Sequence, residues 1–129
     1  MKKILDACCG SRMFWFDKHN PDVVFQDIRM LEDTLCDGRK LAVKPDVVGD
    51  FRQMTFPDNS FYLVVFDPPH IKQGFNECMR VLKPNGTLIF KWNEQQISVS
   101  EIINVIGVTP LFGHTTHRNG LTVWMAFMK

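Results

Sequence analysis

Short apolar runs, each closing on a polar or acidic residue, recur along the chain. Lys3 to Ala7 meets Cys8-Cys9-Gly10-Ser11 at once, and the stretch Ser11 to His19, free of Pro and Gly, predicts a helix stopped by Pro21. Asp22-Val-Val-Phe-Gln26 reads as a second buried strand ending at Asp27. Thr34 to Cys36, Asp37-Gly38 and Lys40 to Val43 predict a hairpin, and Pro45 to Asp50 a third short strand. After the turn signal Pro57-Asp-Asn-Ser60, Phe61 to Phe66 is the strongest strand pattern and runs into Asp67-Pro68-Pro69-His70. Ile71 to Leu82 has helical spacing, with Phe75, Cys78, Met79 and Leu82 on one face, and closes at Lys83-Pro84-Asn85-Gly86. Gly86 to Trp92 follows as strand five. Ser98 with Glu101 is a capping box for a helix to Ile106 that Gly107 ends. Pro110 to Gly113 and Leu121 to Met128 are the last strands, flanking a turn.

Strands alternating with helices or short crossovers, and a closing hairpin, predict an α/β fold. It is a mostly parallel seven-stranded sheet with helices on both faces and a C-terminal antiparallel hairpin. Ligands of such sheets bind beyond the carboxyl ends of the strands, where strand order reverses. Asp6 to Ser11, Asp27, Asp50 and Asp67 to His70 should therefore converge.

Composition narrows the class. The 129 residues are one ordinary domain by length, 45% apolar and 22% charged, with no apolar run near the roughly 20 residues of a membrane span. A cytoplasmic protein is expected, with no membrane partner. Net charge is +1 with scattered basic residues, so charge alone gives no support to a nucleic-acid grip. Cys8, Cys9, Cys36 and Cys78 lack zinc-knuckle spacing and read as reduced thiols; Cys8 and Cys9 have no base placed beside them and are rejected as nucleophiles. His114 and His117 on one turn make no closed metal site, so no metal is expected.

The strand ends carry the chemistry. A glycine past the first strand lets backbone approach a ligand, and the start of a following helix offers amide donors. Asp27 follows Asp6 by 21 positions, close to the roughly 20 at which an acidic residue meets ribose hydroxyls. Asp50 is placed to read an adenine amino group. The loop lacks the spaced glycines that cradle pyrophosphate, which favours an adenosine ligand over a dinucleotide. In Asp67-Pro68-Pro69-His70 two prolines remove backbone donors, leaving acceptors aimed at an amine, with the His70 ring able to stack on a base.

Asp6-Ala-Cys-Cys-Gly-Ser11 resembles the Asp-Pro-Phe-Cys-Gly-Ser-Gly loop, and Asp67-Pro-Pro-His70 the Asp-Pro-Pro-Tyr motif, of Rossmann-like amino-methyltransferases acting on adenine or cytosine; Met79 to Leu88 also looks like the stretch before their strand five. The resemblance implies a single S-adenosylmethionine-dependent methyltransferase domain over residues 1–129. It implies that Asp6, Cys8, Gly10, Asp27, Asp50 and Phe51 hold the cofactor and that Asp67, Pro68, Pro69 and His70 form the catalytic turn. Arg12 stands where the loop's last glycine is expected and His70 where Tyr is. Arg12, Trp92, His117 and Arg118 are candidate substrate contacts, and Phe14 either packs in the core or floors the cofactor site. The expected acceptor is an amino group of DNA or RNA; the alternatives are a small molecule, a protein amide, or a non-catalytic cofactor-binding subunit. A partner subunit supplying recognition fits the missing recognition domain.

Overall fold

Period-two alternation sorts the strand side chains onto the two faces of one sheet. The computed structural model describes residues 2–67, 71–93, 97–115 and 122–129. In chain order the elements are β1 (Ile4–Asp6), β2 (Val23–Asp27), β3 (Leu31–Thr34), β4 (Lys40–Val43), β5 (Val47–Val48), β6 (Phe61–Phe66), α1 (Ile71–Val81), β7 (Leu82–Asn93), α2 (Val99–Ile106), β8 (Phe112–Thr115) and β9 (Thr122–Met128). Seven strands form one sheet in the order β5-β2-β1-β6-β7-β9-β8, parallel from β5 to β7 and antiparallel from β7 to β8. The chain steps outward from β1 to β2 and β5, then returns to lay β6 on the other side of β1. The order reverses at the β1/β6 junction, where a crevice opens.

One face buries the main core. Leu5, Val64, Phe66, Leu88, Phe90, Met125 and Phe127 meet Phe75, Cys78 and Val81 of α1 and Ile102 and Ile106 of α2. The rings of Phe66, Phe90, Phe127 and Phe75 meet edge to face at centroid distances of 5.0–6.3 Å. The helix boundaries have local causes. Ser98 accepts the Glu101 N–H at the start of α2, and Gly107 ends it in the left-handed region at φ 79°. Arg80 on α1 donates to the Met54 and Phe56 carbonyls and pairs with Glu77 and Asp58, which fastens the 50–60 loop to the helix.

The predicted hairpin is present, but its first strand lies earlier, at Leu31–Thr34 rather than Thr34 to Cys36: β3 pairs antiparallel with β4 from Leu31↔Val43 to Thr34↔Lys40, with Gly38 at φ 86° in the turn. The first crossover is different. Residues 11–19 form successive turns and no helix. Gly10 and Arg12 lie at φ 53° and 63°, outside right-handed helical space, and the Arg12 guanidinium binds the Lys18 and Lys44 carbonyls while stacking 3.9 Å over the Phe25 ring. These contacts override the local helical preference. Both described helices consequently pack on the same face. On the other, Val23 and Phe25 pack with Ile4 of β1 and are covered by Cys9 and Trp15 from the turns.

The Lys83 to Gly86 turn also exists, but inside a strand. Phe61 pairs with Leu82 and Leu63 with Thr87, so residues 83–86 loop out of β7, with Asn85 at φ 66°. β7 therefore opens at Leu82, ahead of the predicted Gly86, and β8 opens at Phe112 rather than Pro110.

Candidate active site

The face opposite the main core carries the polar ends of the central strands. Alternation puts Asp27 with Phe25 on β2 and Lys91 with Ile89 on β7, while Asp67 follows Phe66 and falls beside Lys91, because Phe66 pairs with Phe90. Here a cleft of about 650 Å³ opens at the β1/β6 junction. Its walls are the Cys8 to Ser11 loop, Asp27 to Arg29, Leu41 and Val43 of the hairpin, and Phe14, Phe51, Asp67 and Lys91.

Asp27 is 5% exposed, and both carboxylate oxygens are engaged: Gly10 N–H donates to Oδ2 at 2.9 Å, and Arg29 donates to Oδ1 from its backbone N at 2.9 Å and from Nε at 3.2 Å. Burial pushes its pKa up, but these donors outweigh burial and hold it below the ordinary carboxylate value. It is therefore ionised at neutral pH and ties the glycine loop to the end of β2.

The two half-motifs are joined directly. The Cys8 thiol donates to the Asp67 carbonyl at 2.9 Å, and the Asp67 N–H donates to Cys8 Sγ at 3.3 Å. Burial raises both the Cys8 and Cys9 thiols, Cys9 to about 12, so neither is a thiolate nucleophile at neutral pH. Burial also raises Asp67, which Lys91 partly offsets.

Asp6 is 2% exposed and lies behind the cleft wall, accepting the Trp15 indole N–H at 2.8 Å and the Cys8 N–H at 3.4 Å. Burial raises its pKa to about 6, against the lowering effect of those bonds. A carboxyl whose pKa is higher in the folded than in the unfolded chain stabilises the fold below its unfolded pKa and loses that contribution as pH rises through the folded pKa. Stability is expected to decline between about pH 4 and 6 on this account. Thermal melts of the wild type and Asp6→Asn across that range check it: the variant should show a flatter profile, and parallel profiles would refute the assignment.

Other expected contacts are placed elsewhere. Asp50 lies outside the cleft wall, with its carboxylate bound to Arg52 through Nε at 3.1 Å and Nη2 at 2.7 Å, while the adjacent Phe51 enters the wall and packs on Phe66. Arg12 is not a substrate contact in this geometry, because its guanidinium is held by carbonyls, Phe25 and Asp46. Trp92 is on the wrong face: it packs against the main core, and its indole N–H donates to the Ile97 carbonyl at 3.1 Å. Its neighbour Lys91 is the residue that reaches the cleft, a position that alternation along Gly86 to Trp92 could have indicated. Arg29 and the hairpin residues Leu41 and Val43 carried no motif. Phe14 lines the cleft, its ring 5.3 Å from that of Trp124. Pro68, Pro69, His70, His117 and Arg118 lie outside the described residues. Among the described residues no cluster of metal-ligating side chains occurs, and no helix is long and apolar enough to cross a membrane.

S-adenosylmethionine fits this donor set. An ionised carboxylate at the end of β2 suits ribose hydroxyls, Phe51, Leu41 and Val43 offer apolar walls to a base, and the open loop at Gly10 leaves backbone room for the amino-acid end.

A family model described as a methyltransferase domain matches residues 5–90. Sterol 24-C-methyltransferase erg-4 of Neurospora crassa is 44% identical over 52 residues, covering 36% of this chain and 14% of that protein. The chain thus spans a small part of the curated relatives' length. A SAM-dependent methyltransferase of Methanosarcina mazei superposes with a TM-score of 0.67 at 15% identity, covering 98% of this chain and 92% of the other. N-methyltransferase NodS from Bradyrhizobium japonicum gives 0.68 at 12% identity, covering 99% and 85%. These findings correct the resemblance to Asp-Pro-Pro-Tyr amino-methyltransferases: the family matched is the methyltransferase domain, and the curated relative is a sterol 24-C-methyltransferase, with no support for an adenine or cytosine target. Asp-Pro-Pro after a strand is too short a motif to distinguish them, since any strand-ending turn can use it. The cleft, the sheet order and the match over residues 5–90 agree, and the chain belongs to the methyltransferase domain family.

Proposed function

We propose that the chain methylates a small organic molecule, with the acceptor entering the cleft on its Asp67 and Lys91 side. The observation that carries this reading is the cleft itself: one continuous space bounded by ionised Asp27 at one end, Asp67 and Lys91 at the other, and apolar walls between. The similarity to sterol methyltransferases supports an acceptor of small-molecule type. Bound S-adenosylmethionine supplies an electrophilic methyl group on its sulfonium. The protein's part is to orient and to exclude water. Asp27 holds the ribose hydroxyls, Phe51 and Val43 flank the base, and the Cys8–Asp67 clasp fixes the distance between the cofactor loop and the acceptor side. Asp67, in the cleft wall beside Lys91, accepts hydrogen bonds from the acceptor, so the rate gain comes from alignment and fixed charge.

The test is calorimetry with S-adenosylmethionine and S-adenosylhomocysteine, followed by transfer of a labelled methyl group in a mixture of cellular small molecules, DNA and RNA. Binding with label in the low-mass fraction is expected. Label in nucleic acid refutes the small-molecule reading, and failure to bind either cofactor form refutes the assignment of the cleft.

A further inference from the structure

Two cavities share the sheet face opposite the main core. Beyond the active-site cleft lies a second hollow of about 330 Å³, walled by Ile89, Phe112, Trp124 and Ala126, an almost wholly apolar set. The rings of Phe14 and Trp124, tilted 53° to one another, connect the two, Phe14 lining the cleft and Trp124 the hollow. Lys91 bridges them, its Nζ 4.6 Å from the Phe14 centroid and 5.7 Å from that of Trp124. Arg29, the other cation of the cleft wall, is tied to Asp27 at 3.2 Å. Lys91 lies between these aromatic faces and Asp67, whose carboxyl it favours in the ionised form, and the aromatic contacts position the ammonium without using its hydrogens as conventional hydrogen bonds would.

Sheet order decides what that ammonium meets. The cofactor groups lie on β2 and β1, Asp67 follows β6, and Lys91 is on β7, two strands from β1 and so about 10 Å away across the sheet. That places it past Asp67, on the acceptor side rather than beside the cofactor loop. We infer that Lys91 selects an acidic acceptor: an amphipathic small molecule whose anionic group pairs with the Lys91 ammonium while its apolar body lies along Phe14 and Trp124 toward the Ile89–Phe112 hollow. A cation beside an aromatic shelf recognises this combination, because the apolar contact removes water from the ion pair and strengthens it. The inference rests on the small-molecule methyltransferase reading.

The test uses the protein saturated with S-adenosylhomocysteine and matched probes, benzoate, phenylacetate and indole-3-acetate, each against its primary amide, titrated by tryptophan fluorescence and ligand-observed NMR. At least one acid should bind more tightly than its amide by roughly tenfold. Lys91→Met should erase that preference and Lys91→Arg retain it, both leaving S-adenosylhomocysteine affinity unchanged. Equal binding of acids and amides, or binding of neither, overturns the inference and leaves the methyltransferase reading standing. A loss of S-adenosylhomocysteine affinity in Lys91→Met that matches the loss for the acid also overturns it, because the lysine would then read the cofactor's own carboxylate. If S-adenosylhomocysteine fails to bind the wild type, both readings fall together.

Discussion

Asp27→Ala is expected to weaken S-adenosylhomocysteine binding by roughly 10- to 100-fold, the range for losing hydrogen bonds to a charged group. Two losses combine. On the proposed reading the ribose hydroxyls would lose their acceptor, and the Gly10 N–H and the Arg29 side chain lose the carboxylate that ties the loop to β2. Asp27→Asn keeps one acceptor oxygen, which serves either Gly10 or Arg29 while its NH2 faces the other as a donor, so its affinity should fall between wild type and alanine. Calorimetry reads both, and a thermal melt shows that the fold persists. An alanine variant binding like the wild type would move the ribose site away from β2.

Phe90→Ala is expected to cost about 3–5 kcal/mol of stability, the range for removing a fully buried ring. Phe90 is 0% exposed, and its ring meets those of Phe66, Trp92 and Phe127, so the cavity would open where both helices and the sheet centre meet. Neighbouring rings on fixed strands cannot collapse into it. A drop in melting temperature of roughly 10–20 °C should accompany it. Phe90→Leu, which keeps most of the volume, should cost less than half as much. Urea titration measures both, and near-equal stability of wild type and alanine variant would show that the ring is not a keystone of the core.

Legibility in the sequence followed the range of the forces involved. The α2 boundaries were readable because Ser98, Glu101 and Gly107 act on their own neighbours, and the hairpin because Asp37-Gly38 sets a local turn. The stretch 11–19 was misread as a helix because what breaks it is tertiary: Arg12 reaches the Lys44 carbonyl and the Phe25 ring, far along the chain. The place of Asp27 in the cleft wall was legible by its spacing from Asp6, while Asp6 lies behind that wall, bound to the Trp15 indole. Position along strand five does not by itself give the face: Trp92 packs on the main core, and a one-residue shift separates it from Lys91 in the cleft wall. The Asp67 turn pointed to methyl transfer but named the wrong branch, since a strand-ending turn reports where chemistry happens and not on what.

The Cys8–Asp67 clasp joins residues 59 positions apart. No local fragment can form it: β1 is completed within the first six residues, but its partner β6 ends at Phe66. A growing chain therefore carries half of a pocket until its middle has been made, and the cofactor cannot act as an early template for folding. Contacts of such long separation close slowly, so the appearance of cofactor affinity during refolding would serve as a clock for the central strand pairing.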